Sequence, residues 1–433
     1  MHKRISIGAA ITLILIAIAI TFSVTTVFTM RKFNDMMNNI KGRETMYEIF
    51  AELDKKIRQN YYGEINEEAI REAVAKGYIS GLYDGYSKYY TADEYKEMQS
   101  STEGKIIGIG VEAIKAENGY LQVTMVYPDS SASAAGISEG DLIIKVDGEN
   151  VTASTADAAL NKLTGVEGSK VSLHIRRDAV DQDEMILTCR VIEIPTVSYK
   201  MLEDRIGYIY ISAFKNNTSD QFATAMGKLI DGGADAIIFD VRNNDTGIIR
   251  SVSEILDRLL PQGEIVSAVK KDGTNEVLAY SDALEYDVAM AVVVNERSEE
   301  MAEIFAQAIK DSNKGKVIGK RTAGKGIMQE TIKLDGGGAL LLTTAAYSLP
   351  KSGTFNGTGV VPNYDVDLTG GPVEDIETLD PSGDAQLQKA IEVVKGSLRG
   401  DDIENSGSSE PEISSGSSLE SQISESSESE KTE

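Results

Sequence analysis

Between Glu44 and Met98 apolar residues recur at i, i+3, i+4 spacing. The stretches MYEIFAELDKKIRQNYY and NEEAIREAVAKGYISGLYD each carry one such stripe, which predicts amphipathic helices. From Gly104 to Arg177 the texture changes to short apolar runs broken by glycines. Gly104, Gly108 and Gly110 come first, then GYLQVTMVYPDSSASAAGISEGDLIIKVDGENV, and short strands with tight turns are predicted. From Ile206 to Asp367 strand-length runs alternate with helical stripes. IGYIYIS leads to a helix near Asp220 to Gly232, the strand AIIFDVR, a helix near Ser251 to Leu260, and the strand VAMAVVVN. This alternation predicts βαβ units. A last helix is predicted from about Asp384 to Leu398.

The segment AVVVNERSEEMAEIFAQAIK joins two of these elements. Ala291 to Val294 is apolar without alternation, as in a strand covered on both faces. Ile304, Phe305, Ala308 and Ile309 then fall at helical spacing. The N–H groups of such a first helical turn can hold an oxyanion. Here that turn carries Glu296, Glu299, Glu300 and Glu303.

Composition narrows the chemistry. A formal charge of −25 over 433 residues argues against nucleic acid and anionic lipid as partners. The single cysteine, Cys189, excludes an internal disulfide and reads as a buried thiol. With only two histidines, His2 and His174, neither a histidine triad nor a zinc site has support, and no cofactor or metal is expected. Ile5 to about Val27 is apolar and long enough to span a bilayer, without a convincing cleavage site. An uncleaved anchor is expected there, with the bulk of the chain outside the cytoplasm. Beyond Gly400 the chain is mostly Ser, Glu and Gly, which predicts a disordered acidic tail.

ASAAGISEGDLIIKVDGENV, with GIGVE upstream, closely resembles a PDZ domain. The resemblance implies that Gly108, Ile109, Gly110 and Val111 offer backbone N–H groups to a peptide's C-terminal carboxylate. The peptide would then add as a strand. The helical N-terminal segment and the later stretches IGYIYISAF, IIFDVRNN, TAGKGIMQE and LTTAAYSLPKSGTFNGTGVVPNYDVDL resemble successive landmarks of the carboxyl-terminal processing peptidases, also called tail-specific proteases. That family implies an α+β multidomain fold. Its parts would be an anchor at 1–31, a helical segment at 32–102, a PDZ domain at 103–195, an α/β protease core at 196–371, a C-terminal helix at 372–399 and the tail at 400–433. It also implies serine–lysine peptidase chemistry and admits a homodimer.

The family's turn T-x-G-K-G-x-x-Q is matched by Thr322, Gly324, Lys325, Gly326 and Gln329. By resemblance Lys325 is the general base and Gln329 orients it. The family's nucleophile run reads G-S-A-S-A-S-E, and here Arg297 to Glu303 stands in its place. Glu303 aligns with the glutamate, so Glu300 falls on the attacking serine. Lys325 follows Glu300 by 25 residues, the family's serine-to-lysine offset. Asp311 also falls where the family often has an aspartate. The family's oxyanion turn N-N-P-G-G is replaced by Asn243, Asn244, Asp245, Thr246 and Gly247. Thr246 adds a side chain and Asp245 a negative charge where an oxyanion develops, and both work against acyl transfer.

The expected function is therefore an impaired peptidase homologue that binds protein C-termini or unfolded polypeptides. A Glu300–Lys325 ion pair is expected to hold the lysine protonated. One alternative is an active peptidase using Ser298 as a displaced nucleophile, although Ser298 reads more simply as a helix N-cap. A structural envelope protein is the other.

Overall fold

The computed structural model describes residues 44–400 other than 283 and 372, together with residues 21, 22, 25, 26 and 30. Apart from those five positions the expected anchor lies outside the described residues, as does the acidic tail from residue 401. Among the described residues no helix is long and apolar enough to cross a membrane. The described residues divide into two compact units, with the boundary between Tyr78 and Ile79.

In the first unit, residues 44–60 form helix α1, and α2 (Glu67–Ser80) begins there. Arg58 joins them, donating to Glu67 at 2.5 and 2.9 Å and to Asp54 at 2.8 Å. Tyr47, Phe50, Leu53 and Ile57 form an exposed apolar stripe on α1.

The second unit begins with β1 (Lys88–Tyr90) and α3 (Ala92–Glu103). A Thr91–Glu94 capping box starts α3, and Gly104 ends it in the left-handed conformation. The PDZ domain follows with β2 (Lys105–Gly108), β3 (Val111–Lys115), β4 (Leu121–Val126), α4 (Ser131–Ala134), β5 (Leu142–Val146) and β6 (Glu149–Asn150). It continues with α5 (Ala156–Leu163), β7 (Lys170–Arg177), β8 (Val180–Asp181), β9 (Met185–Thr188) and β10 (Arg190–Glu193). Its sheet runs β3-β4-β5-β7-β8, with β6 on β5 and β9 on β7. Ile109, Leu121, Ile143, Leu173 and Cys189 are fully buried in its core. His174 lies on β7, and its Nδ1 is buried without a hydrogen-bond partner.

Chain entry to and exit from this domain are one ribbon. β2 pairs antiparallel with β10 from Lys105↔Glu193 to Gly108↔Arg190, and the Ile194 N–H donates to the Gly104 carbonyl at 2.9 Å. Asn217 of the core fastens both strands, its Nδ2 donating to the carbonyls of Gly104 and Ile194 at 3.0 Å each. Gly104 has φ +69°, and a Cβ there would lie 2.1 Å from Asn217 Oδ1, so glycine is required twice over.

The core contains β11 (Val197–Met201), β12 (Ile206–Ile211), α6 (Thr218–Asp231), β13 (Ala236–Asp240), α7 (Ile249–Asp257), β14 (Gly263–Lys270) and β15 (Asn275–Ser281). After them come β16 (Ala289–Val294), α8 (Met301–Asp311), β17 (Gly315–Gly319), β18 (Ile327–Lys333), β19 (Ala339–Ser348), β20 (Tyr364–Asp365) and α9 (Ala385–Arg399). One sheet runs β11-β12-β13-β16-β17-β20, parallel except for β11. Period-2 alternation splits its strands between two cores. Ile237, Phe239, Val292 and Val294 join α6, α7 and α8 on one face, while Ile238, Ala291 and Val293 join α9 on the other.

The predicted alternation of strand and helix breaks after α7. β14, β15, β18 and β19 form a second, antiparallel sheet of order β1-β19-β14-β15, with β18 also on β19. Its buried residues, Ile265, Val266 and Tyr347 among them, belong to the same core as α7 and α8. Hydrophobic periodicity finds a strand but not the sheet it joins, and the Asp272–Gly273 turn was the local sign of the β14–β15 hairpin. The N-terminal segment, predicted as helices, likewise contributes β1, which pairs Lys88–Tyr90 with Ala339–Leu341.

Candidate active site

β16 delivers the chain at Val294 to a turn, and α8 starts after Glu300. Glu300 is the N-cap residue with φ +48° and ψ −104°, a strained conformation for a side-chain-bearing residue. One step into the helix, Glu303 is fully buried and accepts four hydrogen bonds. The Thr322 hydroxyl and Gly324 N–H donate to its Oε1 at 2.5 and 2.7 Å, and the N–H groups of Lys325 and Glu300 to its Oε2 at 2.8 and 3.1 Å. Burial pushes this carboxyl above the ordinary carboxylate range, although those donors favour the anion. Glu303 thus sews the lysine loop to the start of α8.

That stitching sets the geometry of the pair expected from the sequence. Lys325 Nζ lies 2.5 Å from Glu300 Oε1, with both side chains mostly buried. The ammonium also sits 5.3 Å from the centroid of the Tyr86 ring. Burial alone would lower the lysine pKa, but the Glu300 hydrogen bond and charge outweigh it and hold Lys325 above its ordinary value. Burial raises Glu300 from its ordinary value despite Lys325, and the charges of Glu299 and Asp245 add to that.

Lys325 should accordingly keep its charge as pH rises through the ordinary lysine range. At pH 9, an amine-selective acylating reagent should label it more slowly than an exposed lysine such as Lys271. In Glu300→Gln the hydrogen bond and charge that outweigh burial are gone, and Lys325 labelling should rise at least severalfold. Peptide mapping by mass spectrometry reads both. Equal labelling in the two proteins would contradict the pairing.

The pair opens on a cleft of about 400 Å³. One wall is the oxyanion-turn segment Asp245, Thr246, Gly247 and Ile248, and another is Tyr86, Lys88 and Tyr90. The turn is pinned from behind. Asn243 and Asn295 exchange hydrogen bonds at 3.0 and 2.8 Å, Asn244 Nδ2 donates to the Ile211 carbonyl at 2.9 Å, and the Glu299 N–H donates to the Asn244 carbonyl at 2.9 Å. A Cβ on Gly247 would lie 2.7 Å from Phe214 Cβ and 2.8 Å from Met301 Cγ.

Several expectations change. Ser298 does not cap α8. It is fully buried, its hydroxyl donates to the Val241 carbonyl at 2.8 Å and accepts the Asn295 N–H at 3.1 Å, and the cap falls two residues later. Its proton is committed and its oxygen does not line the cleft, so the structure does not present it as a nucleophile. Gln329 lines the cleft, but its Nε2 donates to the Tyr86 carbonyl at 3.1 Å instead of orienting Lys325. Tyr86 itself was missed, because only the fold brings residue 86 beside residue 325. In the PDZ loop Gly108, Ile109 and Gly110 are buried and Val111 is half-buried. The Ile109 N–H, expected to face a carboxylate, donates to the Leu163 carbonyl at 3.0 Å. A peptide carboxylate there must displace that carbonyl.

Comparison with known proteins agrees with this layout. The PDZ domain model matches residues 97–176, and the model of peptidase family S41 matches residues 205–366. A CtpA-like serine protease of Staphylococcus saprophyticus is 30% identical over 337 residues, which is 77% of this chain and 67% of that protein. One from Staphylococcus aureus is 30% identical over 332 residues, covering 76% of this chain and 65% of its own length. The chain thus spans just under two thirds of that relative. Among solved structures, a photosystem II D1 C-terminal processing protease aligns with 73% of this chain and 86% of its own, at 23% identity and a TM-score of 0.44. With its PDZ domain, its core and its lysine turn in family order, the chain belongs to the carboxyl-terminal processing peptidases of family S41.

Proposed function

We propose that this chain is a catalytically impaired carboxyl-terminal processing peptidase homologue that captures protein C-termini or unfolded polypeptides through its PDZ domain. The observation that carries the reading is the 2.5 Å contact between Glu300, at the family's nucleophile position, and Lys325. A carboxylate attacking a peptide would form an acyl anhydride, a poor intermediate, and a lysine held as ammonium accepts no proton. Glu300 therefore removes the nucleophile and silences the base together.

The full-length protein should not cleave unfolded proteins or peptides with apolar C-termini. Turnover that vanished in both Lys325→Ala and Ser298→Ala would overturn the proposal in favour of an active enzyme.

The PDZ geometry supports the capture half. β3 follows the Gly-Ile-Gly loop and lies at one end of its sheet with β4 as its neighbour, so its other edge is available to an added strand. Peptides with a free apolar C-terminus should bind, and their amidated forms should bind several times more weakly, as fluorescence anisotropy reads directly. Equal affinities would argue against carboxylate capture.

An extracytoplasmic, membrane-held location is supported by the apolar run 5–27, and protease accessibility in intact cells tests it. Self-association is supported by the exposed α1 stripe, and sedimentation of the full chain tests it.

A further inference from the structure

Lys115 and Asp157 face each other across the gap between β3 and α5. Lys115 ends β3, Asp157 lies in the first turn of α5, and Lys115 Nζ donates to Asp157 Oδ2 at 2.6 Å. Both side chains are largely exposed. At the opposite end of the same gap the Leu163 carbonyl, at the end of α5, takes the Ile109 N–H. Val111 and Ala113, the β3 residues on the same face as Lys115, pack between these ties against the core cluster that includes Ala156, Ala159 and Leu163. The apolar seam between β3 and α5 is therefore tied at both ends, by a hydrogen bond where a carboxylate would sit and by an ion pair upstream.

An added antiparallel strand fixes what meets each tie. With the terminal carboxylate at the Gly108–Val111 loop, the last residue lies opposite Val111. Side chains on one face recur every two residues. The second residue before the terminus then lies opposite Ala113, and the fourth opposite Lys115. Directly opposed residues of an antiparallel pair have Cβ atoms about 4.5–5.5 Å apart and point to the same face.

We infer that Lys115 is a specificity determinant of this domain, selecting a carboxylate side chain at the fourth residue before the C-terminus of the bound polypeptide. The inference rests on the PDZ-capture reading and deepens it. The ligand carboxylate takes Asp157's place on Lys115. Asp157 is released into solvent in the first turn of a helix, where the N–H groups and the dipole favour an anion. A basic ligand residue would instead pair with Asp157 and strand Lys115 at a strand end with no such compensation. The asymmetry favours the acid.

The test uses the full-length protein and eight-residue fluorescent peptides ending in Xaa-Ala-Ser-Ala-Val, with Xaa as Glu, Gln or Lys. Each is paired with its C-terminally amidated form. The Glu peptide should bind about two- to fivefold more tightly than the Gln peptide at low salt. That preference should shrink in 0.5 M salt, with a screening length then of only about 4 Å. Lys115→Ala should abolish the difference between the Glu and Gln peptides, and Lys115→Glu should favour the Lys peptide. If free-acid peptides outcompete their amides but Glu, Gln and Lys bind alike, or Lys binds best, this inference fails and the capture reading stands. If no peptide distinguishes acid from amide, both fail.

Discussion

Glu300→Ser alone should give at most a trace of peptidase activity, while Glu300→Ser combined with Asp245→Pro and Thr246→Gly should exceed it by about two to three orders of magnitude. The single change supplies the hydroxyl and removes the carboxylate that lies 2.5 Å from Lys325 Nζ. Burial then acts on the lysine without that counter-charge and moves its pKa down, toward the range of a general base. What the single change leaves is the turn opposite. Asp245 and Thr246 line the same cleft as Glu300. A carboxylate there opposes the developing oxyanion, and removing one oxyanion donor costs about 10²–10³ in rate. The Asn243 and Asn244 hydrogen bonds hold the rest of the turn, so the two substitutions act on a supported backbone. Turnover of an unfolded protein substrate, with Lys325→Ala in each background as control, measures both. A single variant equal to the triple would show the present turn to be competent. A folded but silent triple would count against the roles proposed for Glu300 and the turn.

Arg242→Ala should destabilise the folded protein by about 3–5 kcal/mol. Arg242 is almost wholly buried, and its guanidinium donates to Asp240 at 2.5 Å and to Asp384 at 2.7 Å, both also buried, and to Gln386 at 3.0 Å. Burial opposes its charge, and the two carboxylates more than compensate, holding it protonated. Removing the arginine leaves two carboxylates with no cation. Asp384 also accepts the N–H groups of Gln386 and Leu387 at the start of α9, so the change reaches the helix that covers one face of the main sheet. Urea denaturation should show the loss, and limited proteolysis should find α9 first. A loss below about 1 kcal/mol would mean that the network only breaks even against desolvation.

How far the sequence carried the structure depends on range. The strand–turn–helix at Ala291 to Lys310 was legible because its apolar run and its 3.6-residue stripe adjoin. The approach of Glu300 to Lys325 was legible only through resemblance to a family, since nothing local to either residue points to the other. Ser298 was misplaced because a serine just before a helix looks like a cap, whereas its hydroxyl is drawn to the Val241 carbonyl beyond the end of β13. The role of Glu303 was hidden for the same reason: three of its four donors come from residues 322 to 325. The second sheet escaped because pairing partners such as β1 and β19 lie about 250 residues apart, and periodicity carries no information over that distance.

The β2–β10 ribbon has a bearing on how such a protein can change over generations. The chain leaves the core after Glu103 and rejoins it at Ile194, where the Ile194 N–H donates to the Gly104 carbonyl at 2.9 Å. β1 precedes the departure and β11 follows the return, so the core is complete without anything in between. A short turn closing that gap adds little chain entropy. Residues 105–193 are therefore a cassette: another module with adjacent ends can be grafted at the same doorway, while the scaffold that carries Glu300 and Lys325 is inherited intact.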